Sequence, residues 1–151
     1  MLLFVYGPYM NPGYLREKGI TILEARRAIL RDYDICFSTQ TGDWKHAMID
    51  LKESQGKKVE GVLYKITDEA MGIFDVHEKL AQKKHRRIEV YVQTDEGTLL
   101  RAFTFVNSVK EGEFIPSVEY LRFIAEGAEL HSISKEYIEH ILSFGYAHHK
   151  G

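Results

Sequence analysis

Residues 59 to 80 read VEGVLYKITDEAMGIFDVHEKL. Val59 to Ile66 sets Val59, Gly61, Leu63 and Lys65 against Glu60, Val62, Tyr64 and Ile66. Both sets hold enough apolar residues for a strand buried on both faces. Thr67 then offers a side-chain acceptor suited to a helix N-cap, and Asp68 and Glu69 suit the positive first turn of a helix. Met71, Phe74 and then Asp75 or Glu78 recur at three- and four-residue steps, which places them on one helix face. The unit therefore carries a carboxylate, Glu78, to the far end of a helix. Such a group is either a solvated surface charge or the acid/base residue of a small enzyme.

Upstream, Leu2 to Tyr6 is a short continuous apolar run that suits a buried strand, ended by Gly7-Pro8. Asn11-Pro12 reads as an N-cap and first helical position, opening a short helix through Tyr14 and Leu15. Glu24 to Phe37 reads as one or two strands, Gly42 as the start of a loop, and Ala47 to Leu51 as a short strand. Ser54-Gln55-Gly56-Lys57 has the composition of a hairpin turn. Downstream, Ile88, Val90 and Val92 alternate with Glu89 and Tyr91. Asp95-Glu96-Gly97 turns the chain, and Leu99 to Val106 returns as the partner strand. Pro116-Ser117 opens a helix with Leu121, Ile124, Ala125 and Ala128 on one face. Ser134 caps another through Tyr137, Ile138, Ile141 and Leu142, with Gly145 as its stop. Strands first and helices late predict an α+β domain: a small curled or closed mixed β-barrel with flanking helices. The whole chain, 1–151, is expected to be one domain, with 116–145 as its C-terminal helical part.

The 151 residues are enough for a sizeable core, and 44% hydrophobic with 28% charged residues is ordinary for a globular protein. A formal net charge of -2 gives no ground for nucleic acid or an anionic membrane surface as partner. No apolar run approaches the roughly 18 residues of a membrane span, and the N-terminal run lacks the basic flank of a signal peptide. One cysteine, Cys36, excludes an intramolecular disulfide framework and fits a reducing compartment, so a cytoplasmic location is expected. Cys36 sits in an apolar alternation and reads as a core residue. The histidines have no metal-ligand spacing: His77 and His85 flank Glu78, His46 lies in a loop, and His148-His149 lie at the tail. No metal and no cofactor is expected. Lys83-Lys84-His85-Arg86-Arg87 runs into a strand start and reads as a solvated edge.

Three segments together resemble the gamma-glutamylcyclotransferase-like superfamily, which includes the avirulence-induced plant protein-like members. Phe4-Val5-Tyr6-Gly7-Pro8-Tyr9-Met10 is similar to the family's Tyr-Gly-Ser-Asn-Met/Leu loop. Val59-Glu60-Gly61-Val62-Leu63-Tyr64 with Asp75-Val76-His77-Glu78 is similar to its Val-x-Gly-x-Leu-Tyr strand and Asp-x-x-Glu helix end. Pro116-Ser117 to Gly127-Ala128 resembles a helix of larger members. The resemblance implies intramolecular acyl transfer on a gamma-glutamyl amine or peptide, releasing 5-oxoproline and an amine. Glu78 would be the general acid/base. Tyr6, Gly7, Pro8, Tyr9, Met10 and Arg87 would bind a small molecule with a glutamyl or similar carboxylate group. The oligomeric state stays open, a homodimer included.

Five positions depart from or keep to that pattern. Pro8-Tyr9 stands where the family usually has Ser-Asn, and Pro8 has no N–H to donate to a substrate carboxylate. Lys79 replaces a usual Gly, His85 replaces a common Tyr, and Arg87 fits. These departures open an alternative: a non-catalytic carboxylate- or amino-acid-binding protein on the same fold.

Overall fold

Five strands close into a barrel in the order β1-β3-β2-β4-β5. The computed structural model describes residues 1–40 and 47–145. Strand β1 is Leu2–Val5, β2 is Glu24–Gln40, β3 is Ala47–Lys65, β4 is His85–Thr94 and β5 is Leu99–Asn107. The helices are α1 (Pro12–Glu17), α2 (Asp68–His77), α3 (Val118–Leu130) and α4 (Lys135–Ser143). Short 3-10 turns lie at Pro8–Met10 and Leu80–Gln82.

The long β2–β3 pair forms the backbone of the barrel, running from Glu24↔Lys65 to Gln40↔Ala47. β1 pairs antiparallel with β3, and β4 with β5. Closure is the exception: β1 meets β5 in parallel at Leu3↔Phe103. The sheet is therefore mixed, as the alternating strands and late helices predict. The core runs through the barrel and under α3 and α4, with Phe4, Phe37, Tyr64, Phe74, Tyr120, Ile124 and Ile141 all buried. Cys36 is buried too, and burial pushes its thiol up to about 11, which suits a packing residue rather than a nucleophile.

One open alternative is resolved and one expectation changes. Glu24 to Gln40 is a single strand. Ser54 to Lys57 is not a hairpin turn but an excursion within the continuous strand β3. The register passes from Arg31↔Lys58 to Tyr33↔Glu53, so Asp32 faces the excursion alone. Asp32 is left-handed at φ 65°, Gly56 at φ 84°, and the Asp32 carboxylate accepts the Gly56 N–H at 3.0 Å. Turn-forming residues serve a bulge as well as a reversal, because both need positive φ and a local side-chain acceptor. The loop expected at Gly42 lies outside the described residues, as do His46 and His148-His149.

The caps fall where the sequence places them. Asn11 Oδ1 accepts from the Gly13 N–H, Thr67 from Ala70, Ser117 from Tyr120 and Ser134 from Tyr137. α3 lies directly on the Pro8–Met10 turn because Gly127 has no side chain. A Cβ there would stand 2.6 Å from both the Asn11 nitrogen and the Met10 carbonyl carbon. The Asn11 amide adds a bond to the Phe123 carbonyl at 3.1 Å. Gly127→Ala should therefore cost about 1–3 kcal/mol by overpacking, measured by urea denaturation. Gly72→Ala, in α2 with nothing within 4 Å of the added Cβ, should instead gain roughly 0.5–1 kcal/mol.

Candidate active site

The parallel seam between β1 and β5 is where the barrel opens. Beyond Leu3↔Phe103 the two strands are joined by side chains: Thr104 Oγ1 donates to the Phe4 carbonyl at 2.8 Å, and the Tyr6 hydroxyl to the Phe105 carbonyl at 2.5 Å. A cavity of ≈ 70 Å³ lies against this seam, room for several waters. One wall is Phe4 to Tyr9, the other is Thr104, Phe105 and Asn107, and Glu78 and His85 also line it. Tyr14, Met48, Ile49 and Tyr120 are the other described lining residues, and most of these side chains are apolar or aromatic.

Glu78 caps the C-terminus of α2, its N–H donating to the Phe74 carbonyl at 2.8 Å. Its side chain is 18% exposed. Each carboxylate oxygen has its own neighbour. The Tyr9 hydroxyl donates to Oε2 at 2.7 Å, and His85 Nδ1 lies 3.4 Å from Oε1. Burial pushes the Glu78 pKa above the usual carboxylate range, while His85 and the Tyr9 hydrogen bond pull against it. Burial and the Glu78 charge push the Tyr9 phenol far upward, so Tyr9 stays a proton donor to the carboxylate.

The chain between Glu78 and His85 folds back sharply. Lys79 and Lys83 both take left-handed backbone, at φ 54° and 57°, around the Leu80–Gln82 turn. Lys84 N–H closes it on the Lys79 carbonyl at 3.3 Å. His85 then begins β4 opposite Asn107 at the end of β5, which brings its ring to the cavity. Lys79 thus keeps the conformation that a glycine would adopt freely.

The residues expected around a substrate are partly brought together. Tyr6, Gly7, Pro8, Tyr9 and Glu78 line the cavity. Tyr6 has its hydroxyl engaged by Phe105. Met10 is fully buried and lies outside the lining, as does Arg87. Arg87 instead pairs with both oxygens of Asp75 at 3.0 Å and covers the Phe103 ring at 4.9 Å. Asp75, near the end of α2, is the carboxylate that holds this arginine. α1 also offers less to an anion than its position suggests, because Asn11 occupies the Gly13 N–H.

Tyr9 carries more than its position in a loop suggests. Its ring meets Phe74 edge-on at 4.9 Å, and its carbonyl accepts the Tyr64 hydroxyl at 2.6 Å. His85, Asn107 and Tyr120 also line the cavity without having been picked out as site residues. His85 could have been noticed as the one residue of its basic run that turns inward; Lys83, Lys84 and Arg86 are exposed. Asn107 is fixed by a buried network: Asp50 accepts from the Asn107 N–H at 3.1 Å, from Ser38 at 2.7 Å and from Lys110.

Among the described residues no group of three or more His, Cys, Asp and Glu is placed to hold a metal. No helix among them is long and apolar enough to cross a membrane.

A folded-state pKa above the unfolded one means that ionised Glu78 costs stability as pH rises through the unfolded value, in full above the folded value. Glu78→Gln should therefore melt higher than the parent at pH 8, with the gap closing toward about pH 4. Calorimetry at both pH values checks this. Lys79→Gly should gain about 0.5–1 kcal/mol in denaturant titrations by relieving the left-handed backbone.

The model of the AIG2-like family matches residues 58–141. A gamma-glutamylcyclotransferase from Bos taurus is 25% identical over 154 residues, spanning 99% of this chain and 81% of the relative. The structure of YkqA from Bacillus subtilis superposes with a TM-score of 0.87 at 26% identity, over 97% of this chain and 54% of YkqA. A solved gamma-glutamyl cyclotransferase shares the fold, with a TM-score of 0.84 at 23% identity over 93% of this chain and 85% of that one.

Proposed function

Because this chain belongs to the AIG2-like family, we propose that it is a cofactor-independent gamma-glutamyl cyclotransferase with Glu78 as its general acid/base. The carrying observation is the setting of that carboxylate, enclosed in an apolar cavity with a tyrosine hydroxyl fixing one of its oxygens. The similarity to a curated gamma-glutamylcyclotransferase supports the choice of reaction.

The chemistry needs little beyond shape and one proton carrier. The α-amine of a gamma-glutamyl group attacks its own gamma-carbonyl, forming a five-membered lactam and expelling the amine. Nucleophile and electrophile share one molecule, so folding the substrate into attack geometry supplies most of the advantage; oriented intramolecular reactions reach effective molarities of about 10⁵ M or more. The amine enters as an ammonium ion and must lose a proton before it can attack. Glu78 accepts it. The raised pKa of Glu78 makes it a stronger base than a solvated glutamate. The apolar walls at Phe4, Ile49 and Phe105 exclude bulk water that would compete with the tethered amine. Pro8 has no peptide N–H, so the substrate carboxylate meets one main-chain donor fewer than a Ser at this position would allow.

Incubation with a panel of gamma-glutamyl amines and dipeptides should release 5-oxoproline, detected by chromatography. Glu78→Gln should lower kcat by about 10²–10⁴-fold. The rate should rise with pH as Glu78 ionises, with its midpoint above the ordinary glutamate value of about 4.3. Absence of product from every compound, or full activity in Glu78→Gln, removes the mechanism. Thermal stabilisation by carboxylates or amino acids without turnover would instead mark a binding protein. Pro8 in the cavity wall, with no peptide N–H to offer a substrate carboxylate, is what favours that second reading.

A further inference from the structure

We infer that His85 is a second catalytic residue, the group that hands a proton to the departing amine while Glu78 serves the attacking one. The inference rests on the cyclotransferase reading above. Three observations carry it. His85 lines the same cavity as Glu78. Its Nδ1 is buried without a hydrogen bond and lies 3.4 Å from Glu78 Oε1. The loop that puts it there holds two lysines in left-handed backbone, a conformation that costs about 1–2 kcal/mol per residue outside glycine.

The proton count gives a second group a place in the sequence, as a relay between Glu78 and the departing nitrogen. The α-nitrogen enters as –NH3⁺ and ends as the single N–H of the lactam, so it gives up two protons. The departing nitrogen enters as an amide N–H and leaves as an amine, so it gains one. A carboxylate holds one proton at a time. Glu78 takes the first proton, and the freed lone pair forms the new C–N bond as the carbonyl becomes an alkoxide. Protonated Glu78 then passes its proton from Oε1 to His85 Nδ1, and His85 gives its Nε2 proton to the departing nitrogen. The old C–N bond breaks as the alkoxide collapses to the lactam carbonyl. Glu78, ionised again, takes the second proton from the ring nitrogen and loses it to solvent when the products leave. His85 ends as the Nδ1–H tautomer and resets when water protonates Nε2 of its partly exposed ring and Glu78 carries the buried Nδ1 proton away to solvent. The separation of 3.4 Å is long for transfer, and catalytic hydrogen bonds of empty sites commonly shorten when substrate binds.

The other ionisable side chains among the described residues lining the cavity are Tyr6 from the end of β1, Tyr9 from the turn after it, Tyr14 from α1 and Tyr120 from α3. Burial raises the pKa of Tyr6, Tyr9 and Tyr120, so they keep their protons through neutral pH. No lysine or arginine is among the described residues lining the cavity. Among the described lining residues His85 is thus the one imidazole, beside one carboxylate, Glu78.

Two measurements on the full chain test the assignment. Nitrogen-15 NMR of the imidazoles needs no substrate. The ring-nitrogen signals of His85 at neutral pH should move in Glu78→Gln, because Nδ1 faces Oε1 at 3.4 Å. Unchanged signals overturn the proton link. With a gamma-glutamyl substrate that turns over, His85→Gln should lower kcat about 10²-fold at unchanged KM. Added imidazole should restore turnover to His85→Ala. Unchanged kcat with a raised KM overturns the inference in favour of substrate binding, and turnover of His85→Gln at the parent rate overturns it outright. Either result leaves the Glu78 mechanism standing. A parent protein that releases no 5-oxoproline removes the cyclotransferase reading, and the transfer to the departing amine with it.

Discussion

Closure of the barrel is the constraint on which the site depends. Four of the five strand contacts are antiparallel, and the last brings β1 alongside β5 in parallel at Leu3↔Phe103. A seam with so little main-chain pairing leaves space between its strands, and side chains take over the bonding. Thr104 and Tyr6 reach across to carbonyls of the opposite strand. The cavity occupies the remaining gap. Tyr6 therefore has a structural duty at the seam as well as a place in the lining, and the two cannot be separated by removing its ring.

The position of Glu78 is electrostatically unfavourable for a carboxylate. Asp68 and Glu69 stand at the positive N-terminus of α2, where carboxylates are favoured. Glu78 stands at the opposite end, in an apolar enclosure, where neither the helix nor the surroundings favour its charge. Its compensation is local and unequal: a firm hydrogen bond from Tyr9 on one oxygen and an unbonded imidazole nitrogen near the other. A surface ion pair such as Arg87 with Asp75 contributes little by comparison, being partly solvated on both sides.

Much of this was legible in the residues. Hydrophobic period and caps locate the strands and helices, because Thr67, Ser117 and Ser134 each have one obvious use. Glu78 was legible as well, through its place at the end of a strand-and-helix unit. What escaped was set by tertiary contact. The bulge at Ser54 to Lys57 uses the same residue types as a turn, and only pairing with Asp32 distinguishes them. His85 looked like one member of a basic run, since its inward direction is decided by β4 pairing with β5. Arg87 looked like an anion ligand until Asp75, a turn before Glu78, was found holding it.

The seam also determines when in the life of the chain a site can exist. The residues that meet there, Leu3 with Phe103 and Tyr6 with Phe105, lie at opposite ends of the barrel's sequence. Contacts of such separation are entropically late to close, whereas the β2–β3 hairpin can pair as soon as both its strands are available. A chain emerging from synthesis thus has most of its sheet before it has any cavity. Glu78 spends that interval as an ordinary solvated glutamate, and the enclosure that gives it unusual basicity comes into being only when the first strand finds the last.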